Sequence, residues 1–150
     1  MKEPLTPTKE LLQRRLFLTL PLAPSVNHCY ITTRWGKRIL TKDAKVWFET
    51  VKKILIKEIE RQHWGYTQQT KLVAEIMTYF PNYLTRDSHN QYKTLCDAFE
   101  DYIIDNDCYL LIRQIDWQVD KENPRLEIVV RAFNPGSDKW QHDDKFRKGN

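Results

Sequence analysis

The period of the apolar pattern changes once, abruptly, in the middle of this chain. From Lys71 to Phe80, Leu72, Ala74, Ile76, Thr78 and Phe80 alternate with their neighbours, and Pro81 closes the run. A two-residue period with a terminal proline predicts a strand with one face turned inward. Soon afterwards Tyr92, Leu95, Cys96, Phe99, Tyr102 and Ile103 recur at the three-and-four spacing of a helix face. Lys93, Asp97, Glu100 and Asp101 lie off that face, so Lys93 points away from the core. Asp87 or Ser88 can accept from the first free backbone N–H groups, which predicts the helix start there. Asp105, Asn106 and Asp107 form a turn at its far end, and a second strand follows over residues 109–119. For Asp107 to approach Asp87, the strands flanking this helix must lie side by side.

The rest of the chain adds short elements without repeats. Residues 15–20 read as a strand closed by Pro21 and Pro24, and residues 28–40 as a hairpin-like excursion turning at Trp35-Gly36-Lys37. Thr41 caps a helix whose stripe is Ala44, Trp47, Phe48, Val51, Ile54, Leu55 and Ile59, ending before Gly65. The last two strands, residues 109–119 and 125–133, are joined by the turn Asp120 to Pro124 and are expected to pair antiparallel. This order predicts an α/β (α+β) two-layer domain, a mixed sheet with two main helices on one face. A right-handed crossover makes the strands around the first helix parallel. The end of the Phe80 strand, the start of the second helix and the Asp107 loop are then expected at one rim of the sheet. A rim suits duplex or branched DNA, which cannot enter a narrow cleft. The expected layout is an N-terminal extension, partly flexible, over 1–14, the domain over 15–134, and a polar tail over 135–150 that frays.

At 150 residues and 41% hydrophobic composition, the chain can bury an ordinary core without staples. Cys29, Cys96 and Cys108 are an odd set without a CxxC pair, which fits a reducing compartment better than a disulfide framework or a zinc site. The start has no apolar signal region and no apolar run approaches the ~20 residues of a membrane span, so a soluble cytoplasmic protein is expected.

Charge is unevenly distributed. Arg34, Lys37, Arg38, Lys42, Lys45, Lys52, Lys53 and Lys57 face only Asp43 and Glu49 in their segment, a net +6. Asp87, Asp97, Glu100, Asp101, Asp105 and Asp107 face only Lys93 in theirs, a net −5. A basic surface that holds a polyanion beside carboxylates that hold a divalent cation is what a metal-dependent nuclease needs. The competing reading is that both runs are solvated helix faces, with Asp87 a cap, Asp107 a turn residue and Lys93–Asp97 an exposed i,i+4 pair. Most of the five tryptophans read as core, but Trp35, at a basic hairpin tip, can stack on an exposed base.

Ordered motifs carry a family resemblance from about Leu16 to Val130. They are the proline-rich Leu20 to Asn27 stretch ending in Ser25-Val26-Asn27, the run Leu40-Thr41-Lys42-Asp43-Ala44, and Asp87-x-His89-Asn90-x-x-Lys93 followed by Asp97-Ala98. The chain resembles RusA-type Holliday junction resolvases, endodeoxyribonucleases of phages and prophages. The resemblance implies an Mg²⁺-dependent endonuclease, homodimeric, that resolves four-way DNA junctions in recombination and repair in a bacterial host. It makes Asp87 and Asp107 metal-binding carboxylates and Lys93 the basic residue at the phosphate. Arg34, Lys37, Arg38, Lys42, Lys45, Arg86 and Lys93 would contact DNA. His89 stands where the family usually has a second aspartate, and Asn106-Asp107 where a pair of aspartates is common. His89 therefore either ligates metal, with tolerance for Mn²⁺ as substitute, or contacts DNA or a metal-bound water, or only occupies a helix turn. Asp105 is a substitute for the missing carboxylate, offset by one or two positions. The alternatives are a non-catalytic junction-binding relative, favoured by the His89 substitution, or a nuclease for other branched DNA.

Overall fold

The computed structural model describes residues 1–84 and 86–147. In chain order the elements are α1 (Lys9–Gln13), β1 (Leu16–Leu20), α2 (Val26–Cys29), β2 (Tyr30–Thr32), β3 (Arg38–Leu40), α3 (Lys42–Arg61) and β4 (Leu72–Phe80). Then follow a 3₁₀ turn (Ser88–Gln91), α4 (Tyr92–Phe99), a second 3₁₀ turn (Asp107–Tyr109), β5 (Leu110–Val119), β6 (Arg125–Ala132) and α5 (Asp143–Arg147). Four strands form one mixed sheet in the order β1-β6-β4-β5, and β2-β3 is a separate two-stranded hairpin. The expected α+β architecture is what the chain adopts.

Local signals explain the two main helices. The Thr41 side chain accepts from Ala44 N–H at 3.3 Å, satisfying one of the free donors at the start of α3. Ala44, Trp47, Val51 and Leu55 then fall on one face and are buried. From α4, Leu95, Ala98 and Phe99 enter the same core, against Leu18, Leu72, Ala74, Ile76, Leu126 and Ile128 of the sheet. Each fully buried Leu, Ile or Phe here stabilises the fold by roughly 1.5–3 kcal/mol. On β4 the inward set Leu72, Ala74, Ile76, Thr78 and Phe80 is buried as the alternation predicts.

Two expectations fail. The apolar period of the second helix runs on to Ile103, but α4 ends at Phe99, because Asp101 takes a left-handed conformation (φ 72°) and turns the chain back. Ile103 and Ile104 are still fully buried, so burial kept the pattern that the helix did not. The final strands also do not pair with each other. β5 runs parallel to β4 on one side, and β6 runs antiparallel to β4 on the other. The connecting loop crosses the end of β4 instead: Asp120 N–H donates to Phe80 O at 2.8 Å, and the Arg125 guanidinium lies 3.8 Å over the Tyr79 ring.

β1 and β4, the strands around α3, run in the same direction with β6 between them. β1 is a sheet edge, and its free backbone is blunted by one side chain: Gln62 Oε1 accepts from Phe17 N–H at 2.9 Å and its Nε2 donates to Phe17 O at 2.7 Å. The N-terminal residues dock on the 67–70 loop, Leu5 N–H donating to Gln69 O at 2.7 Å. After Asn134 the chain is tied down as far as Asp138. Its carboxylate takes Arg131 at 2.6 and 3.0 Å and Arg113 at 3.0 Å. Among the described residues, no helix is long and apolar enough to cross a membrane.

Candidate active site

The start of α4 is fastened over the middle of the sheet. Gln91, buried, donates to Thr78 Oγ1 at 3.2 Å, and Gln114 Nε2 donates to the same hydroxyl at 3.0 Å. Tyr92 O–H donates to Gln114 Oε1 at 3.2 Å. A second tether runs from Thr94, whose hydroxyl donates to Pro24 O at 3.2 Å and lies 3.4 Å from Cys29 Sγ. Buried polar groups that satisfy one another leave the helix one register, which fixes where Lys93 emerges.

Lys93 Nζ lies 2.7 Å from Asp97 Oδ1 and 3.0 Å from Asp107 Oδ2. Two carboxylates therefore bracket one ammonium on a half-exposed surface. Asp97, then Asp107, hold the ammonium's pKa above the ordinary lysine value, favouring its charged form. Asp97 arrives from one helical turn along α4. Asp107 arrives from the 3₁₀ turn that precedes β5, in which Asn106 Oδ1 accepts from Cys108 N–H at 2.9 Å. Beneath this cluster, burial pushes the Cys96 thiol up to about 11, with the Asp107 carboxylate adding to it, so it is no thiolate nucleophile.

Asp87 belongs to a second group. Its Oδ1 accepts from His89 N–H at 2.9 Å, closing the turn that opens the helix, and lies 2.7 Å from His89 Nδ1. The His89 side-chain contact first, and its backbone N–H second, lower the Asp87 pKa below the usual carboxylate value. The His89 ring also packs edge-on against Tyr92 at 5.2 Å. Because the 3₁₀ turn runs directly into α4, His89 and Lys93 stand about one helical turn apart along one surface strip.

Asp87 and Asp107 thus bond different partners, and they adjoin opposite ends of the paired strands. In a parallel strand–helix–strand unit, the segment leaving β4 and the segment entering β5 lie at opposite ends of the strands. Leu72 pairs with Leu110 and Phe80 with Val119, so the Asp107 turn enters at the Leu72 end while the chain toward Asp87 leaves at the Phe80 end. They do not share one rim; the chain folds back over the sheet to bring Lys93 to Asp107. Among the described residues, no three His, Cys, Asp or Glu side chains are grouped to share one metal ion in the arrangement as it stands. Asp105 instead accepts from Gln69 N–H through Oδ1 at 3.0 Å, holding the 67–69 loop. Asp97, expected as an i,i+4 partner of Lys93, forms that pair and shares the ammonium with Asp107.

The donors nevertheless fit a hard divalent cation. Asp97 and Asp107 already close on one positive centre, and Mg²⁺ is commonly held by one or two carboxylates with water and phosphate oxygens completing its shell.

The surroundings suit a polyanion. Arg34, Lys37, Arg38, Lys42, Lys45, Lys52, Lys53 and Lys57 are all exposed, and none makes an ion pair among the described residues. Arg86 bonds Asn82 Oδ1 at 2.7 Å and lies 5.3 Å over Phe80. It lines a cleft of about 420 Å³ together with Asp87, Ser88, Asn27 and His28. A larger cavity, about 650 Å³, lies along β1 and the open sheet face and is lined by none of the site residues.

Residues 21–131 match the family model described as Endodeoxyribonuclease RusA. No curated protein matches the chain. The match spans the hairpin, both main helices and the acidic strip, from Pro21 through Asp87, Lys93 and Asp107 to Arg131. The chain therefore belongs to the RusA endodeoxyribonuclease family, metal-dependent nucleases that resolve Holliday junctions.

Proposed function

We propose that the active centre of this nuclease is the surface strip formed by Asp87, His89, Lys93, Asp97 and Asp107, in a nuclease domain spanning 15–134. The observation that carries the reading is the Lys93 ammonium bracketed by Asp97 and Asp107. Carboxylates that close on one cation next to an unneutralised basic surface are suited to a phosphate backbone with its metal.

Asp97 and Asp107, with Asp87 on the neighbouring turn, would hold Mg²⁺, and Mn²⁺ in its place. Such a cation supplies Lewis-acid polarisation of the phosphoryl oxygen and a more acidic water for in-line attack. The protein's own part is electrostatic and positional. Lys93, released from one carboxylate, sets its ammonium against the charge that grows on the non-bridging phosphate oxygens. His89 holds the Asp87 carboxylate in one orientation through Nδ1, the relation of an imidazole to a carboxylate at a metal's edge. Arg34, Lys37, Arg38, Lys42, Lys45 and Arg86 hold the arms through phosphates, which position the DNA without reading its sequence.

Two symmetric cuts require two active centres, so the working unit is a homodimer whose two-fold axis matches that of the junction. The expected setting is the cytoplasm of a bacterial cell carrying the phage or prophage gene. A second reading, a junction-binding relative that does not cut, is favoured by one observation: Asp87 is engaged by His89 rather than turned to Asp107. Incubation with a four-way junction, a Y-fork and linear duplex, each with Mg²⁺, Mn²⁺ or EDTA, separates these. Paired symmetric cuts in the junction with metal and none in EDTA support the nuclease. Binding without cutting under every metal establishes the second reading.

A further inference from the structure

The β2–β3 hairpin stands outside the main sheet and carries the most exposed tryptophan-bearing turn of the basic segment. Its tip is tightly made. Thr33 N–H donates to Lys37 O at 2.8 Å, Gly36 N–H donates to Thr33 O at 2.9 Å, and Gly36 takes φ 78°, a conformation glycine adopts without strain. This turn projects Trp35, which is 81% exposed. The Arg34 guanidinium lies 4.7 Å from the centre of the Trp35 ring, and Arg38 lies 4.3 Å from that of Tyr30 lower on the hairpin. Two aromatic faces, each with a guanidinium that has no acidic partner among the described residues, lie on one projection.

The hairpin is also fixed relative to the acidic strip. At its base Thr41 N–H donates to Cys29 O at 2.8 Å and the Thr41 hydroxyl to His28 O at 3.0 Å. Cys29 is buried against Thr94, the residue after Lys93. A ligand gripped at the tip is therefore held in register with the cutting site through a short, packed path.

We propose that this hairpin senses the branch point. Trp35 stacks on a base left unstacked at the crossover, while Arg34, Lys37 and Arg38 hold the phosphates on either side. The inference rests on the DNA-cleaving reading above and adds to it where junction selectivity resides. An aromatic face is blind to base identity but requires a base free of its neighbour, which a four-way junction offers and a continuous duplex does not. Basic side chains alone would bind both DNA forms through phosphates and give no such preference.

The test measures binding in EDTA, so that cleavage plays no part, to a four-way junction with 2-aminopurine at the crossover and to duplex of the same length. Wild type should prefer the junction and change the 2-aminopurine fluorescence. Trp35→Ala should lose about tenfold in junction affinity, the scale of one stacked base, keep its duplex affinity within about twofold, and leave the fluorescence unchanged. Trp35→Tyr, which retains an aromatic face, should restore most of the preference. Because Trp35 is exposed, neither change removes a core contact. A Trp35→Ala protein with undiminished junction preference, or a wild type that leaves 2-aminopurine unchanged, overturns the proposal and leaves the nuclease reading intact. A wild type that binds neither DNA overturns both.

Discussion

Lys93 Nζ reaches Asp107 Oδ2 at 3.0 Å across fourteen positions of sequence, joining the first turn of α4 to the turn that opens β5. The same nitrogen is 2.7 Å from Asp97. In this resting arrangement the two carboxylates restrain the lysine; on the proposed reading the same carboxylates would hold a cation beside it. Replacing Lys93 by alanine should slow junction cleavage by at least about a hundredfold, the scale of one lost transition-state contact. Junction binding in EDTA should stay within about threefold. Single-turnover cleavage measured beside binding checks this; a rate loss fully accounted for by weaker binding would remove Lys93 from the chemistry.

Asp87→Asn keeps the side chain's size and its ability to accept from His89 N–H, so the turn opening the helix should survive. What disappears is a negative charge beside the phosphate path. Cleavage should fall by at least about a hundredfold, while junction affinity in EDTA is unchanged or tighter. Gel-shift titration together with a cleavage time course reads both, and cleavage at the wild-type rate would refute the metal role of Asp87.

Much of this was legible because it is local. Thr41 as a cap, the stripe from Ala44 to Leu55, the alternation of β4 and the turn at Gly36 each depend on a few neighbouring residues. Partner choice is not local. Nothing within residues 110–132 says that β4 will lie between β5 and β6, since both orders bury the same inward faces; the choice shows in Asp120 bonding Phe80 and in Arg125 over Tyr79. The acidic strip has the same division. Asp97 beside Lys93 follows from helical spacing, whereas the contact of Lys93 with Asp107 joins residues fourteen apart and shows only in the assembled fold. That the chain leaves β4 and enters β5 at opposite ends of the strands follows from the parallel crossover, which only the assembled sheet reveals.

His89→Asp tests whether the imidazole tunes the metal. In place of a nitrogen donor it supplies a hard oxygen donor on the same turn as Asp87, which Mg²⁺ accepts more readily than it accepts imidazole. The ratio of cleavage rates in Mg²⁺ and Mn²⁺ should move toward Mg²⁺ by about tenfold, the lower range seen for residues orienting a metal's ligands. An unmoved ratio would confine His89 to orienting Asp87 in the turn.

Asp138 should govern acid stability. Its side chain is 9% exposed, and Arg131, with Arg113 and the backbone of Asn134, lowers its pKa far below the ordinary value of 3.8. A carboxyl with a depressed folded-state pKa contributes stability that is complete above the unfolded value. That contribution is lost progressively as pH falls below about 3.8 toward the folded value. Asp138→Ala leaves Arg131 with Glu75 at 2.8 Å as its remaining carboxylate, and Arg113 with none among the described residues. The loss should be about 3 kcal/mol near neutral pH, the lower range for breaking a buried ion pair. In a chain of this length that lowers Tm by about 6–12 °C. The gap between variant and wild type in urea unfolding should shrink steadily from about pH 4 to pH 2.5. A gap that stays constant over that interval would mean that Asp138 stabilises the fold through packing rather than through its charge.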